Sequence, residues 1–198
     1  MYVKATAIFL MIITGMVPFC LQAQSTDEVR IYYGVAGADY VYPAMDGGGS
    51  YENANFKEFG IRYLKGISER FSIESGVNYS SSTAIFHPEY RGEPVTVNEE
   101  DYHLISVPIY AHYTFWKHFF VNGGPILDFD GADNPSFIDK QPGIGYSLGF
   151  GGKYAFQHFS LFINPNFKQH ALIPFHKNTP HHQKLTEFGV QFGVGYRF

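Results

Sequence analysis

Nine histidines stand in a chain of 198 residues, and His170, His176, His181 and His182 fall within 13 positions of one another. Imidazoles gathered so closely could hold zinc or copper. Pro174 and Pro180 interrupt the segment, however, and no fixed ligand spacing emerges, so a solvated loop without a metal is expected. Asp128, Asp130 and Asp133 with Gly131 resemble the start of a calcium loop. The twelfth position from Asp128 is Asp139, where such a loop needs a bidentate Glu. A lipid hydrolase would need a Ser–His pair with an orienting acid. His158 and Ser160 share a face but flank a short turn, the wrong end of their segments for such chemistry. His103, Ser106 and Tyr102 lie nearer a long connection without a clear acid. The expectation is no enzyme, no catalytic residue and no cofactor. More telling are Arg30, Glu58, Arg62, Glu74, Lys153, Lys168, Glu187 and Arg197, joined by Asp128, because all fall on one face of the elements that carry them.

Those elements announce themselves by a period of two. From 187 to 198, Phe188, Val190, Phe192, Val194, Tyr196 and Phe198 alternate with Glu187, Gly189, Gln191, Gly193, Gly195 and Arg197. Twelve residues of unbroken alternation make a strand. The same pattern runs over 143–156, 71–80, 58–63 and 105–115, and more weakly over 29–40, 119–129 and 159–168. Eight strands result. Short connections fall near 65–69, 116–118 and 156–158; long ones fall near 41–55, 81–101, 130–142 and 170–184. Short turns on one rim and long loops on the other describe an antiparallel up-and-down barrel of the outer-membrane kind. Pro108, Pro125 and Pro165 each remove a ladder donor, so bulges or bends are expected there.

Composition agrees. The chain carries 20 Phe, 15 Tyr and 21 Gly, only 16% charged residues and a net charge of −4. Disorder is excluded by the aromatics, and a nucleic-acid surface by the lack of a basic cluster. No apolar run of 18 follows the first twenty residues, which excludes a helical membrane protein. Residues 1–23 read as a secretory signal peptide: Lys4, an apolar stretch from 5 to 17, and Ala23 before the cut. The rival, acylation at Cys20, suffers from Pro18 and Phe19 just before it. Residues 24–198 are then the barrel domain, without a thiol.

A soluble, lipocalin-like barrel would turn the apolar face inward and needs an exterior rich in Lys and Glu. Here the non-apolar faces are dominated by Gly, Ser and Asn, so the apolar side chains are expected to face lipid. The charges then plug the lumen as buried ion pairs, drawn from Arg62, Glu74, Glu58, Lys153, Glu187 and Arg197. A turn centred near Ser68 would set Arg62 opposite Glu74. Phe192, Val194, Tyr196 and Phe198 form the terminal assembly signal. Apolar groups in the long connections (Ile85, Phe86, Tyr90; Phe137, Ile138; Leu172, Ile173, Phe175) could fold on one another or meet a partner, and Glu99, Glu100 and Asp101 fall near head-group level.

The segment Ser106-Val107-Pro108-Ile109-Tyr110-Ala111-His112-Tyr113-Thr114-Phe115, followed by Phe119-Phe120-Val121-Asn122-Gly123-Gly124-Pro125, resembles the I-P-L…Y…F and F-x-x-x-x-G-P hairpin of the porin-like, PorT-type outer-membrane barrel family. Residues 71–80 resemble that family's third strand, and Tyr196-Arg197-Phe198 its aromatic ending. The resemblance implies an eight-stranded outer-membrane barrel and carries no catalytic residues. The expected function is a small structural or surface-interaction barrel with a filled lumen. The alternatives are a narrow channel for small solutes and a lipid A-modifying enzyme. Expected partners are outer-membrane lipids and lipopolysaccharide, periplasmic chaperones and the barrel-assembly machinery, with no nucleic acid. The termini should be periplasmic and the long loops extracellular.

Overall fold

The computed structural model describes residues 27–41, 50–87, 98–130, 142–175 and 184–198. The leader, Cys20 and most of the long connections lie outside the described residues, and with them His176, His181, His182, Tyr90, Asp133, Phe137 and Ile138. The chain forms eight strands: β1 (Glu28–Val41), β2 (Ser50–Gly66), β3 (Phe71–His87), β4 (Asn98–Phe115), β5 (Phe119–Asp130), β6 (Gly143–Phe156), β7 (Phe159–Pro174) and β8 (Lys184–Arg197). Each pairs antiparallel with its neighbours, and β8 returns to β1 from Glu28↔Arg197 to Val41↔Lys184, closing the barrel. Even the shortest strand, the 12 residues of β5, reaches about 40 Å at about 3.4 Å per residue. Tilted, it crosses the roughly 25 Å apolar band of such barrels.

Alternation decides what goes where. Along β1, Val29, Ile31, Tyr33 and Val35 face outward while Glu28, Arg30 and Tyr32 are buried. Ile31 is 48% exposed and Arg30 beside it 1%. Outward apolar groups continue all round, among them Phe59, Val77, Ile109, Leu148, Phe150, Ile163 and Phe188. A soluble monomer does not expose so continuous an apolar belt. Aromatic rings gather at the short-turn rim, where Phe115 packs within 6.0 Å of Phe119 and Phe159 within 5.5 Å of Tyr196.

The short connections fall at 67–70, 116–118 and 157–158. The strands run further than the alternation shows. β2 begins at Ser50, β3 continues to His87 and β4 starts at Asn98, so 50–55, 81–87 and 98–101 are ladder rather than loop. His170 through Pro174 likewise belong to β7. The three prolines do not produce the expected bulges. Register carries through Pro108, Pro125 and Pro165 in every ladder they join. An antiparallel residue donates to one neighbour only, so a proline forfeits a single bond and the pairing resumes beyond it. The irregularities lie between Ala54 and Lys57 and between Ile144 and Tyr146, the latter beside Ala171 at φ 48°.

Inward glycines make room for large neighbours. A Cβ on Gly60 would sit 2.5 Å from three atoms of the Tyr32 phenol, and one on Gly195 would collide with the Glu28 carboxylate and the Ser160 hydroxyl. Just before β1, Asp27 clasps the same rim. It accepts from Tyr63 (2.6 Å), Lys65 (2.8 Å) and the Gly66 amide (3.2 Å), while its carbonyl accepts from the Phe198 amide (3.0 Å).

Gly60→Ala is therefore expected to displace the Tyr32 ring and destabilise the barrel by about 1–3 kcal/mol, read as a lower urea midpoint for unfolding from lipid vesicles. The Asp27 clasp gives a pH signature. The Lys65 ammonium and the Tyr63 hydroxyl hold its carboxyl below the ordinary 3.8. With the folded value depressed, the contribution is complete above the unfolded value and is lost as pH falls through the folded one. Asp27→Asn should flatten the fall in midpoint below about pH 3.8; an acid limb identical to the parent's would refute the clasp.

Candidate functional site: the charged lumen

The inward faces of all eight strands meet in a polar interior. Glu28, Arg30, Glu58, Arg62, Glu74, Asp128, Lys168 and Glu187 are each at most 5% exposed. They are joined by hydrogen bonds that cross the lumen. Toward the long-loop end, Lys168 of β7 contacts both Glu58 of β2 and Glu187 of β8, the latter at 3.2 Å. Glu187 Oε1 lies 2.8 Å from His170 Nε2, and His170 Nδ1 donates to Asp128 (2.9 Å), which also accepts from the Ser106 hydroxyl (2.7 Å). Gln191 donates to Glu58 (2.8 Å). The Tyr32 hydroxyl bridges Glu58 (2.5 Å) and Asn78 (2.6 Å), carrying the network down the axis.

The central layer is built on two guanidinium groups. Arg62 contacts Asn78 and donates from Nε to Glu74 (3.2 Å). Its guanidinium carbon stands 4.8 Å from the Tyr32 ring centre and 5.5 Å from that of Tyr110. Glu74 also accepts from His112 (3.1 Å) and Asn122 (3.2 Å). Arg30 lies between Phe162 (4.8 Å) and Phe120 (5.5 Å), and Phe120 stacks on His112 at 4.6 Å. Arg30 donates to both oxygens of Glu28, at 2.8 and 3.2 Å, and Glu28 accepts from Ser160. Cations over aromatic faces and paired with carboxylates are how charge survives away from water.

Arg62 and Glu74 meet, but not as directly opposed residues. The turn spans 67–70, so the ladder sets Arg62 against Gly76 and Glu74 against Leu64. The pair forms diagonally, which an arginine is long enough to do. Glu58 and Glu187 meet on Lys168. Lys153 and Arg197 depart from expectation: among the described residues neither touches a carboxylate. Lys153 donates to the Thr114 hydroxyl (2.9 Å), and Arg197 to the Gln157 carbonyl (2.5 Å).

The other candidates separate. Ser160 is fully buried on Glu28 while His158 is exposed and stacks on Tyr196, so the two do not share a face. His103 contacts the outward Tyr79 hydroxyl (3.0 Å), whereas Ser106 points into the lumen. Asp128 is lumenal, bonded to His170 rather than to a loop. Asp101 accepts from Thr83 on the outer face (2.9 Å). Phe192, Val194, Tyr196 and Phe198 all face outward. Sequence reasoning missed Glu28, Tyr32, Asn78, Asn122 and His170 as network members, and left His112 and Ser106 without a role in it. Their inward parity in β1, β3, β4, β5 and β7 was the available signal.

Removing Glu74 leaves Arg62, His112 and Asn122 facing an empty site. Breaking one side of a buried pair costs about 3–5 kcal/mol, so Glu74→Ala should lower the urea midpoint well beyond what an outward change such as Val77→Ala does. Equal midpoints would reject the network as a stabilising element.

No curated protein matches the chain in sequence. Among solved structures it is similar to the outer membrane protein OprG from Pseudomonas aeruginosa, at 13% identity and a TM-score of 0.54 over 89% of this chain and 97% of that one. It is also similar to Ail of Yersinia pestis, solved with the heparin analogue sucrose octasulfate (12% identity, TM-score 0.49, 88% and 99% covered). A third is the outer membrane protein AlkL in lipid bilayers (13%, TM-score 0.47, 89% and 91% covered). Residues 11–198 match the outer membrane protein beta-barrel domain, and with its closed eight-stranded barrel the chain belongs to that family of the outer membrane.

Proposed function

We propose that this barrel works as a closed-lumen membrane scaffold whose role lies at its rims and loops rather than in passing solute. The observation that carries the reading is the filled cross-section. Arg30, Arg62, Phe120, His112 and Asn78 are each at most 2% exposed and occupy the central lumen. An eight-stranded barrel has an interior about as wide as the side chains that fill it. A second reading, a narrow channel for small solutes, draws on the polar lining that runs the length of the lumen. The Ser106 and Ser160 hydroxyls are both engaged by buried carboxylates, which supports assigning no hydrolysis to them. A PorT-type kinship rests on the 106–125 hairpin motif.

The same reading sets the termini and short turns in the periplasm and the long loops outside. The signal peptide of residues 1–23 would be removed on export. Phe192, Val194, Tyr196 and Phe198 would then be what the assembly machinery and its chaperones recognise, and lipids and lipopolysaccharide what the apolar belt meets.

Planar-bilayer recording tests the lumen. The wild-type protein is expected to insert without conductance steps, and the double variant Arg30→Ala/Arg62→Ala to show small ones. Discrete steps from the wild type would establish the channel reading instead.

A further inference from the structure

Two lumenal cations have no carboxylate among the described residues, and they sit together. Lys153 of β6 and Arg197 of β8 line a cavity of about 130 Å³ at the short-turn mouth of the barrel. The carboxylate placed to neutralise Arg197 is turned away from it. Glu28 lies directly across the β1–β8 ladder from Arg197, but both its oxygens go to Arg30 and one also accepts from Ser160. Arg197 Nε is shut off from solvent with no acceptor. Lys153 has spent one of its three donors on a hydroxyl, that of Thr114. Ser68, Ser72 and Thr114 add hydroxyls to the cavity wall. The one further acid lining it is Glu69, exposed in the β2–β3 turn and in no ion pair among the described residues.

We propose that this mouth binds a tetrahedral oxyanion, a phosphate group being the ligand class, between Lys153 and Arg197. A phosphate oxygen gives each cation the charge-assisted acceptor it lacks, and the surrounding hydroxyls can donate to the remaining oxygens. The guanidinium supplies a planar fork and the ammonium a mobile point charge, a combination suited to an anion with several equivalent oxygens. Glu69 opposes binding and sets its strength, because it places a negative charge at the entrance. The site is independent of whether the lumen conducts, since it lies outside the Arg30–Arg62 layer.

The test uses the folded barrel in maltoside detergent, which carries no phosphate, with the Arg197 Nε–H resonance as reporter during titration with inorganic phosphate. A saturable shift with a Kd of about 1 mM is expected. Lys153→Gln should weaken binding about tenfold, the loss of one charge-assisted bond. Lys153→Arg should retain it, and Glu69→Gln should tighten it. Heat-modifiable gel mobility confirms that each variant is folded. Repeating the titration in phosphatidylglycerol nanodiscs separates the sources. If lipid head groups fill the mouth, the Arg197 resonance starts at its bound position and added phosphate does not move it; if free phosphate is the ligand, the titration is unchanged. The proposal is overturned by a folded wild-type protein that shows no saturable shift in maltoside, or by Lys153→Gln and Glu69→Gln that both bind as the wild type does.

Discussion

The closure of β8 onto β1 is the constraint from which the rest follows. In hydrocarbon no water serves a free amide or carbonyl, so a sheet can cross only if it has no edge. Fourteen consecutive ladder partners between these two strands remove the last one. Closure then fixes two surfaces of opposite character, because successive side chains point to opposite sides. Outside, Ile31, Phe59 and Leu148 meet acyl chains at no cost in hydrogen bonds. Inside, polar groups such as Arg30, Glu58 and Ser147 are buried, and Arg30 and Glu58 find their partners on other inward side chains. The inversion relative to a soluble protein is thus a consequence of solvent, not of composition.

The enclosed charges impose their own condition. Five carboxylates, of Glu28, Glu58, Glu74, Asp128 and Glu187, are buried with three strong bases, Arg30, Arg62 and Lys168. An isolated ion there would cost several kcal/mol. The carboxylate excess is met by neutral and imidazole donors: His170 between Asp128 and Glu187, His112 and Asn122 on Glu74, Gln191 on Glu58. Glycine is the other half of the arrangement. Gly60 and Gly193 flank Tyr32, and Gly149 faces Asn122 and Asn164, so the bulky partners fit only because the opposing strand is bare. The many inward glycines are packing partners of large polar groups.

Much of this was legible in the sequence because a period of two is a strong, local signal. Strand number and the three short turns could be read from parity, and the facing from parity together with the Gly, Ser and Asn that dominate the non-apolar faces. The ends of the strands could not. Residues 50–55 and 81–87 lack a clean alternation in the sequence, so no change of parity marks where those strands end. Register was harder still. Displacing the β2–β3 turn centre by one residue moves the partner of Arg62 from Glu74 to Gly76, which parity cannot detect. The network also depends on contacts between strands far apart in the chain, such as Ser160 with Glu28 and Lys168 with Glu58, and no local pattern encodes those. Trp116, Lys117 and Gln157 carry tight turns at positive φ without a glycine, so even the turn chemistry ran against the usual residue preferences.

A lumen lined by buried, mutually bonded side chains redistributes where chemistry can occur. Through the middle of the lumen each charged group is held by two or more partners, so moving one disturbs several: Glu58 alone is shared by Tyr32, Lys168, Gln191 and Ser80. Such over-determined groups are poor ligand sites, because any newcomer must displace bonds already made. Arg62, Asn78 and His112 keep an unused donor too, but each is already bonded within the central layer, whereas at the short-turn mouth the network ends on Lys153 and Arg197, two cations that contact no carboxylate among the described residues. The asymmetry comes from Glu28. By closing Arg30 bidentately it completes the central layer, and its oxygens are thereby committed away from Arg197, its own cross-strand neighbour.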